Sequence, residues 1–485
     1  MRWTLSRNAS CSSVNFMRGQ KYRGGRVQPR SGHGAARKRR AARSLRPAPR
    51  SAKPLALHSI CARFATLRCA DLVQHAPMQP SHAGDKALPQ DNALAGLRVL
   101  DFSIMLAGPY CTRLLADLGA DVIKIEPPEG DDMRQRAPLR PGPAGPHSTY
   151  FGQLNAGKRS VALDLKHPDA LALVRRLAEQ CDVLVENFRP GVMQRLGLGY
   201  EALAALNPKL IYCSISGYGQ TGPGAERAAY AMMVQAASGF DRSLMRYAGD
   251  RDRPAPSAVF IADVLGGLYA CSAIQTALLQ RARTQQGQRV DVALMDCMLN
   301  LLVYELQEAQ FPVATPRPAY GPVRTRDGDV LIAPITQRNF EALCDVTRLP
   351  ALRNDARFAT VPTRGANWAA MMDVVEEWSR ERTLAQCLSA LDAGGVPCAA
   401  YADPADALTD EHLRARGVFS EVHDGAGRFT GVNPPWQMSG TPTHTRGWVP
   451  GVGEHTADVL RDTLKLDTAA LERLRAAGAF GTSRP

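Results

Sequence analysis

Short apolar runs alternate with amphipathic stretches along most of the chain from residue 96 onward. Strands are predicted for the runs "GLRVLDF", "ADVIKIE", "SVALDL" (160–165), "DVLVENF" (182–188) and "LIYCSISGYG" (210–219). Helices are predicted between them for "AGPYCTRLLADLG", which Gly119 closes, "DALALVRRLAEQ" and "GYEALAALNP". Such alternation is typical of a parallel sheet with helices on both faces. The pattern therefore predicts an α/β fold.

The alternation weakens after "GQRVDVALMD". The stretch "PRPAYGPVRTRDGDVLIAP" has the Pro and Gly content of a linker, and we expect it to lead into a second module that ends near residue 422. Within that module "WAAMMDVVEEWSRERTLAQCLSALDAG" has a helical apolar period, and the tail adds the helices "HTADVLRDTL" and "ALERLRAAG". The length of the chain allows two or three domains.

The turn after the first predicted strand carries no dinucleotide fingerprint. It reads "SIMLAGPY", without the GxGxxG that lets a backbone approach a pyrophosphate. NAD is therefore disfavoured as a cofactor. Gly108 and Pro109 still open a helix, and the exposed N–H groups at its start favour some other anionic or polar ligand.

The positive charge of the chain is concentrated at its N-terminus. Residues 1–77 contain 17 Lys and Arg against the single acid Asp71, a local charge of +16, so the whole-chain charge of +13 leaves the remainder at −3. This extension lacks a hydrophobic period and is not expected to fold alone. It is a transit peptide, a nucleic-acid-binding arm, or sequence upstream of a true start at Met78. We favour the last, and the −3 remainder opposes nucleic-acid binding.

Cysteine and histidine usage gives no sign of a metal site. The 11 cysteines include no CxxC pair, and the 10 histidines are unclustered. An odd cysteine count without a secretory signal indicates reduced thiols, so we expect a cytoplasmic protein. No run of 18 or more apolar residues is present, so we expect no membrane span. Neither a metal nor a permanently bound cofactor is expected.

One carboxylate, Asp263, lies in the apolar stretch "FIADVLGGLYACSAIQTALLQRAR". From the residues alone it is either a cap at the first position of a helix, which is the commoner role, or a catalytic group. Gly266 and Gly267 follow within one turn, where each lowers helix stability by about 1 kcal/mol relative to Ala. Two glycines there would suit a substrate that comes close to the backbone.

Several ordered blocks resemble a single protein family. The blocks are "GLRVLDFSIMLAGPYCTRLLADLGADVIKIEPPEGDDMR", "NAGKRSVALDLKHPDA", "CDVLVENFRPGVMQRLGLGYEALAALNPKLIYCSISGYGQTGP" and "FIADVLGGLYACSAIQTALLQRARTQQGQRVDVALMDCMLN". The resemblance continues through "GVPCAAYADPADALTDEHLRARGVF" and "PGVGEHTADVLRDTL". From about residue 94 to 470 the chain resembles the class III CoA-transferases, the CaiB/BaiF family, which includes formyl-CoA transferase and 2-methylacyl-CoA racemase.

The resemblance implies an architecture. Members of this family are interlocked homodimers, in which each subunit has a large Rossmann-like domain and a smaller α+β domain. Carried over, residues 94–310 and 425–485 form the large CoA-binding domain, residues 311–424 form the small domain with its linkers, and residues 1–93 are a disordered basic extension. The implied partners are an acyl-CoA, a carboxylic acid acceptor and a second copy of the chain, with no nucleic acid and no membrane.

The resemblance also implies a reaction and a set of site residues. The family nucleophile is an Asp at the position of Asp263, and it moves CoA from a thioester to a free acid through a mixed anhydride and an aspartyl-CoA thioester. Coenzyme A is then a substrate. The CoA-binding positions implied by resemblance are Ala107, Leu163, Lys166, Asn187, Phe188, Arg195 and Tyr218. Weaker candidates for phosphate contacts are Arg134, Lys158 and Arg159.

Three positions depart from transferases of the formyl-CoA type. Pro127 stands where those carry Arg, Ser216 where they carry Lys, and Leu106 where they carry Gln. The acyl group is therefore expected to be neither formyl nor oxalyl. The alternative activity is 2-methylacyl-CoA racemase, which needs two acid/base groups around the α-carbon. Tyr230 occupies the place of its His, and a Tyr with a pKa of about 10 is a poor base at neutral pH, so a transferase is favoured.

Overall fold

A computed structural model of the protein describes residues 92–143, 145–248, 252–315 and 317–481. The chain divides into two units, residues 1–83 and 84–485, and every described residue belongs to the second unit. The predicted basic extension therefore lies outside the described residues, except for its last two positions.

Strands and helices alternate through the first part of the described chain. They are β1 (Arg98–Asp101), α1 (Ala107–Asp117), β2 (Asp121–Glu126), β3 (Leu139–Arg140), β4 (His147–Ser148), α2 (Thr149–Asn155), β5 (Arg159–Ala162), α3 (Pro168–Glu179), β6 (Val183–Glu186), α4 (Val192–Arg195), α5 (Tyr200–Leu206), β7 (Ile211–Ser216), α6 (Ala231–Ala237), α7 (Phe240–Tyr247), α8 (Ile261–Thr284), β8 (Gln288–Ala293), α9 (Leu294–Leu301) and α10 (Val303–Gln310). A 3-10 helix spans Asp132–Gln135.

The second part of the chain is mostly helical. Its elements are β9 (Val323–Arg324), β10 (Asp329–Ile332), α11 (Gln337–Thr347), α12 (Pro350–Arg353), α13 (Val361–Ala366), α14 (Trp368–Arg380), α15 (Leu384–Ala393), β11 (Cys398–Ala400), α16 (Pro404–Ala407), α17 (Glu411–Ala415), β12 (Phe419–Asp424), β13 (Gly427–Val432), α18 (Thr456–Leu464) and α19 (Thr468–Ala476). A second 3-10 helix spans Ala356–Phe358.

The main sheet is parallel and has the strand order β5-β2-β1-β6-β7-β8. Its strands are short apolar runs, because side chains on both faces are covered by helices. One face packs on α1 and α8, and the other on α3, α18 and α19. The predicted α/β fold is confirmed. The two C-terminal helices pack on this main sheet, although the predicted domain boundaries themselves stay a prediction.

A smaller antiparallel sheet, β11-β10-β9, has an apolar core of its own. Val330 and Ile332 of β10 pack there with Trp378 of α14 and Leu391 of α15. The predicted linker "PRPAYGPVRTRDGDVLIAP" is thus wrong in its second half, which forms β9 and β10. The alternation of Val330 and Ile332 with more exposed neighbours is that of a half-buried strand.

The predicted helical stretch from residue 368 to 394 is interrupted. Helix α14 ends at Arg380, and α15 begins after Thr383. The Thr383 side chain accepts from the Gln386 N–H while the Gln386 side chain accepts from the Thr383 N–H, which is a capping box. This local signal ends one helix and starts the next without disturbing the apolar period.

Within the described ranges, α8 is the one helix long and apolar enough to cross a membrane by length and composition, with a mean hydropathy of 1.3. The helix is not an unbroken apolar run, because it contains Asp263, Ser272, Gln275 and Thr276, and the expectation of no membrane span stays a prediction. Its buried residues, among them Ala270, Cys271 and Ile274, pack in the core on the side of α1. A central helix of a protein core meets the same criterion as a membrane span.

Candidate active site

The strand order of the main sheet reverses between β1 and β6, and the edge formed by their carboxyl ends is called the crevice. These strands are neighbours, and the chain continues from β1 to one side of the sheet and from β6 to the other. Ligands of open parallel sheets bind at such a reversal of strand order. The two following turns are joined, because the Asn187 Oδ1 accepts from the Ile104 N–H at 2.8 Å and the Asn187 Nδ2 donates to the Ile104 carbonyl at 2.8 Å.

The turn between β1 and α1 brings backbone and apolar side chains to this crevice. Ile104 and Met105 are 37% and 38% exposed, and Met105 has a left-handed φ of 63°. A Cβ on Gly108 would lie 2.2 Å from the Cβ of Ser103, so only glycine fits in this first turn of α1. The glycine is needed for the close approach of the turn to the helix.

Asp101, the last residue of β1, is the centre of a buried polar network beneath the turn. Its carboxylate accepts from the Ser103 N–H (2.9 Å), the Ser103 hydroxyl, Thr112 Oγ1 (2.7 Å) and Lys158 Nζ (3.0 Å). Burial alone would raise the pKa of Asp101, but Lys158 and Lys124 outweigh it together with these hydrogen bonds, and the pKa lies below its ordinary value. Asp101 is therefore a charged structural group.

Glu126, the last residue of β2, is held in the same way. Its carboxylate accepts from the Asp131 N–H at 3.0 Å and from Arg134 Nε and Nη2 at 2.8 and 2.6 Å. Burial opposes the charge, but the hydrogen bonds and charge of Arg134 outweigh it and lower the pKa of Glu126. Lys124 completes the region by pairing with Asp131 at 2.9 Å. These contacts connect β2 to the loop that follows it.

Glu186, the last residue of β6, differs from both because no ion pair to it is found in the described part of the chain. It is 4% exposed, accepts from the Phe188 N–H at 2.9 Å and bonds to Ser214. Burial raises its pKa to about 7, against the hydrogen bonds and Arg289, which lower it. Glu186 is therefore a buried acid held by hydrogen bonds and by the charge of Arg289, without an ion pair in the described part of the chain.

Asp263 is the third residue of α8, two positions later than predicted. The N-cap position is Phe260, so the prediction that Asp263 caps the first position is wrong. No hydrogen bond or ion pair to its carboxylate is found among the described residues. Burial raises its pKa to about 6, so at this helix start desolvation outweighs the favourable helix dipole.

Tyr150 of α2 is a neighbour of Asp263 that the sequence did not indicate. Its phenol pKa is raised by burial first and then by the negative charge of Asp263, so the two groups are close enough to interact electrostatically. The element before it, β4, has two residues and follows an irregular segment. No local sequence pattern predicts that the irregular segment before β4 brings Tyr150 close to Asp263.

Gly266 and Gly267 bring α8 against the start of α1. A Cβ on Gly267 would lie 2.6 Å from the Ala107 carbonyl oxygen, and a Cβ on Gly266 would lie 2.3 Å from the Leu294 Cδ2. The glycines are therefore needed for helix packing, and our prediction that they admit a substrate is not required to explain them. Asp263 lies four residues before Gly267, about 6 Å along the axis, so it shares the face of α8 on which Gly267 meets the start of α1.

The predicted CoA-binding residues lie in four places. Ala107 begins α1, and Asn187 and Phe188 follow β6, so these three border the crevice. Leu163 follows β5 and is fully buried, which leaves only its backbone for a ligand, while Lys166 is exposed beyond it.

The other two predicted residues lie on later elements. Arg195 is exposed in α4 after β6, and its Nη1 would meet a Cβ placed on Gly191. Tyr218 is partly buried after β7, and the Arg227 guanidinium lies 5.9 Å from its ring centroid. Both follow strands of the main sheet at its carboxyl edge, on the β6 side of the crevice.

The three weaker phosphate candidates are engaged inside the protein. Lys158 is fully buried, and its Nζ donates to Asp101, to the Pro109 carbonyl and to Asn155 Oδ1. Arg134 pairs with Glu126, and Arg159 pairs with Asp121 at 2.5 Å. All three donor groups of Lys158 are in use, so it is not available to a phosphate.

Two further observations limit the chemistry of the described residues. No cluster of three or more His, Cys, Asp or Glu side chains able to hold a metal occurs in the described part of the chain. Tyr230, which stands where a racemase would carry His, is 57% exposed at the N-cap of α6. Its hydroxyl makes no hydrogen bond to another described residue.

Comparisons with known proteins give one consistent result. The family model described as CoA-transferase family III matches residues 94–456. The chain is 37% identical over 393 residues to a succinate–glutarate CoA-transferase of Agrobacterium fabrum, which covers 78% of this chain and 97% of that protein. It is 33% identical over 402 residues to the succinyl-CoA:glutarate CoA-transferase of Mus musculus, covering 80% and 90%. A solved CaiB/BaiF family protein from Brucella suis matches with a TM-score of 0.69 and 36% identity over 77% of this chain and 100% of that chain.

Proposed function

The chain belongs to CoA-transferase family III, and from this premise we propose that it moves CoA from an acyl-CoA thioester to a free carboxylic acid with Asp263 as the nucleophile. The observation that carries this proposal is the state of the Asp263 carboxylate. It is partly buried, has no ion-pair or hydrogen-bond partner among the described residues, and lies on the same face of α8 as Gly267, which packs on the start of α1. A carboxylate without partners keeps its lone pairs for attack on a carbonyl.

The proposed reaction exchanges acyl groups in four steps. Asp263 attacks the thioester carbonyl, the C–S bond breaks, and CoA thiolate leaves behind a mixed anhydride. The thiolate then attacks the aspartyl carbonyl, which releases the donor acid and forms an aspartyl-CoA thioester. The acceptor carboxylate attacks that thioester, and the departing thiolate finally attacks the acceptor's acyl carbon, which frees Asp263. Each step exchanges one nucleophile for one leaving group, so no proton donor is needed.

The protonation state of Asp263 suits this role. A pKa of about 6 leaves about 90% of the carboxylate ionised at pH 7. Partial burial also removes part of the hydration that would otherwise have to be displaced before attack. Backbone N–H groups at the start of α1 are available in the same crevice to stabilise the oxyanion that forms on the attacked carbonyl.

We propose dicarboxylic acids as the substrate class, with succinyl-CoA as donor. The two relatives above are named for succinate or succinyl-CoA and glutarate. Pro127, Ser216 and Leu106 stand where formyl-type transferases, by resemblance, carry Arg, Lys and Gln. Those replacements remove two charges and one amide, which supports a substrate other than formyl-CoA and oxalate.

A second copy of the chain is proposed to complete the enzyme, as the resemblance implies. Neighbouring helices from α6 to α10 expose large apolar side chains, each at least 38% exposed: Met232, Met233, Leu244, Val264, Leu268, Tyr269, Leu279, Leu301, Val303 and Leu306. An apolar surface of this extent marks an interaction site. Light scattering is expected to give the mass of two chains, and Val303→Glu is expected to shift the mass toward one. A monomeric wild type would refute the dimer.

The proposed chemistry is tested by exchange and trapping. Wild-type protein is incubated with succinyl-CoA and ¹³C-labelled glutarate, and labelled glutaryl-CoA is measured by mass spectrometry. Hydroxylamine is added during turnover, and the peptide that contains Asp263 is expected to carry a hydroxamate. Asp263→Ala should give neither product, whereas Asp458→Asn, which removes an exposed acid from the first turn of α18, should behave as wild type. Exchange by Asp263→Ala at the wild-type rate would refute the mechanism, and solvent deuterium at the α-carbon without exchange would indicate the racemase.

A further inference from the structure

Three neighbouring strands of the main sheet end in the same way. The strands β2, β1 and β6 lie side by side and finish with Glu126, Asp101 and Glu186, which are 1%, 0% and 4% exposed. Each carboxylate accepts a backbone N–H from the turn that follows its own strand, at 3.0, 2.9 and 2.9 Å. Three buried acids in a row, all bonded to the turns around one crevice, form a single repeated arrangement.

We infer that these carboxylates are positioning residues for the CoA-binding crevice, and that Glu186, through the Phe188 N–H, positions Asn187 and with it the β1–α1 turn. The inference rests on the proposed function, because it assumes that CoA binds at this crevice. It assigns to Glu186 a role in CoA affinity that is separate from folding and from the chemistry at Asp263.

The connection from Glu186 to the β1–α1 turn is continuous. Glu186 holds the Phe188 N–H, while the Phe188 ring packs against the apolar core below. Asn187 lies between these two fixed residues, and both its amide atoms bond to the backbone of Ile104. Loss of the Glu186 acceptor frees the backbone at Phe188, so the side chain of Asn187 loses its fixed geometry and the Ile104 turn loosens with it.

Glu186 is the member of the row that separates positioning from stability. Asp101 and Glu126 are paired with Lys158 and Arg134, so removal of either acid would leave a cation buried without its partner. Glu186 has no ion pair within the described ranges, and burial opposes its charge more strongly than Arg289 stabilises it. An apolar side chain of similar length should therefore be accepted by the fold.

The test compares three variants with the wild type. Glu186→Met removes the acceptor at similar side-chain length, Glu186→Gln keeps a carbonyl oxygen without the charge, and Glu201→Met removes an exposed acid from the first turn of α5 as a control. Succinyl-CoA and glutarate are the kinetic substrates, free CoA is titrated by calorimetry, and urea unfolding reports stability.

Glu186→Met is expected to raise the KM for succinyl-CoA and weaken the binding of free CoA about tenfold, with kcat within about threefold. The unfolding midpoint is expected to stay close to wild type, because removal of a buried charge offsets the lost hydrogen bonds of Phe188 and Ser214. Glu186→Gln is expected to restore KM to within about threefold of wild type, because its carbonyl oxygen accepts the same N–H. The Glu201→Met control should match wild type throughout.

Several outcomes would overturn the inference. A wild-type KM in Glu186→Met would show that the hydrogen bond to Phe188 does not position the crevice. Equally weak CoA binding in Glu186→Gln and Glu186→Met would mean that the charge of Glu186, and not its hydrogen bond, affects CoA affinity. If Glu186→Met fails to fold, Glu186→Ala takes its place with the same expected KM, and failure of both would make Glu186 a purely structural acid. A wild type that neither binds free CoA nor exchanges it would refute the proposed function, and the inference with it.

Discussion

Two aspartates near the start of α1 have opposite surroundings. Asp101 is fully buried, accepts four hydrogen bonds and pairs with Lys158 at 3.0 Å, and its pKa is lowered. Asp263 is partly exposed, no partner to it is found within the described ranges, and burial raises its pKa to about 6. The paired acid is fixed and charged, whereas the acid without partners is accessible and carries a destabilised charge.

This difference indicates a structural role for Asp101 and a catalytic role for Asp263. A carboxylate that already accepts four hydrogen bonds has no lone pair to offer a thioester, so Asp101 shapes the turn. A partly buried carboxylate for which no partner is found among the described residues has a destabilised charge, so Asp263 suits the role of nucleophile. The expected effects of substitution follow from this contrast.

The largest effect is expected for Asp263→Asn. CoA exchange should fall about 10³-fold or more, because an amide does not replace a nucleophilic carboxylate. Stability should not fall, since no hydrogen bond to another described residue is lost and a neutral amide is easier to bury than a charge. The exchange rate and the urea unfolding midpoint are measured together. Asp101→Asn should instead lower the unfolding midpoint. An equal loss of stability in Asp263→Asn would contradict the difference between the two aspartates.

The next largest effect is expected for Lys158→Met. This change leaves Asp101 charged and buried without its cation, which should lower the free energy of unfolding by about 3–5 kcal/mol. Arg461→Met is the matched control, because it removes an exposed pair with Asp458 and should lower stability by less than about 1 kcal/mol. Urea unfolding measures both. Equal losses of unfolding free energy in the two variants would mean that burial of the Asp101–Lys158 pair does not affect its contribution to stability.

A smaller effect is expected for the glycines of α8. In Gly267→Ala the new Cβ meets the Ala107 backbone oxygen at 2.6 Å, which only a shift of α1 or α8 relieves, so unfolding free energy should fall by about 1–3 kcal/mol. In Gly266→Ala the close atom is the Leu294 Cδ2, the end of a side chain that can rotate, so the loss should be smaller. Urea unfolding measures the stability of both variants. A larger loss of unfolding free energy in Gly266→Ala than in Gly267→Ala would contradict the packing argument.

The strands of the main sheet could be predicted because a strand buried on both faces has a short continuous run of apolar residues in the sequence. The small sheet was harder, since β9 and β10 lie in a segment whose Pro and Gly content is that of a linker. Resemblance supplied Asp263 as a candidate, but its neighbour Tyr150 depends on a long irregular segment whose path is set by distant contacts, such as Arg140 with Asp424 at 2.6 Å.

Charged residues were the least predictable part of the site. Lys158 stands in the polar run "NAGKRS", and nothing in that run distinguishes a buried lysine from one that binds phosphate. Its partner Asp101 is 57 positions away in the chain, and only the pairing of β1, β2 and β5 brings the two together. Gly266 and Gly267 were predicted to suit a substrate close to the backbone, but the atoms that leave no room for a Cβ there belong to α1 and Leu294.

The smallest effect tests the charge of Asp263 itself. Only the ionised form attacks a thioester, and burial raises the pKa to about 6, so kcat should fall about tenfold per pH unit below pH 6 and level off above pH 7. The same shift makes the folded state bind a proton more tightly than the unfolded state, so the stability that protonated Asp263 contributes is present below about pH 4 and lost as pH rises through 6. Asp263→Asn should remove that component from the pH dependence of unfolding.

Glu186 titrates in the neighbouring range, with a pKa of about 7, so the rate profile is repeated in Glu186→Gln, where Asp263 should still give the same acid limb. A midpoint near pH 4 in both proteins would mean that the Asp263 carboxylate is as well solvated as a free aspartate. Its difference from Asp101 would then lie only in the absence of partners and not in a destabilised charge, because burial would no longer oppose ionisation.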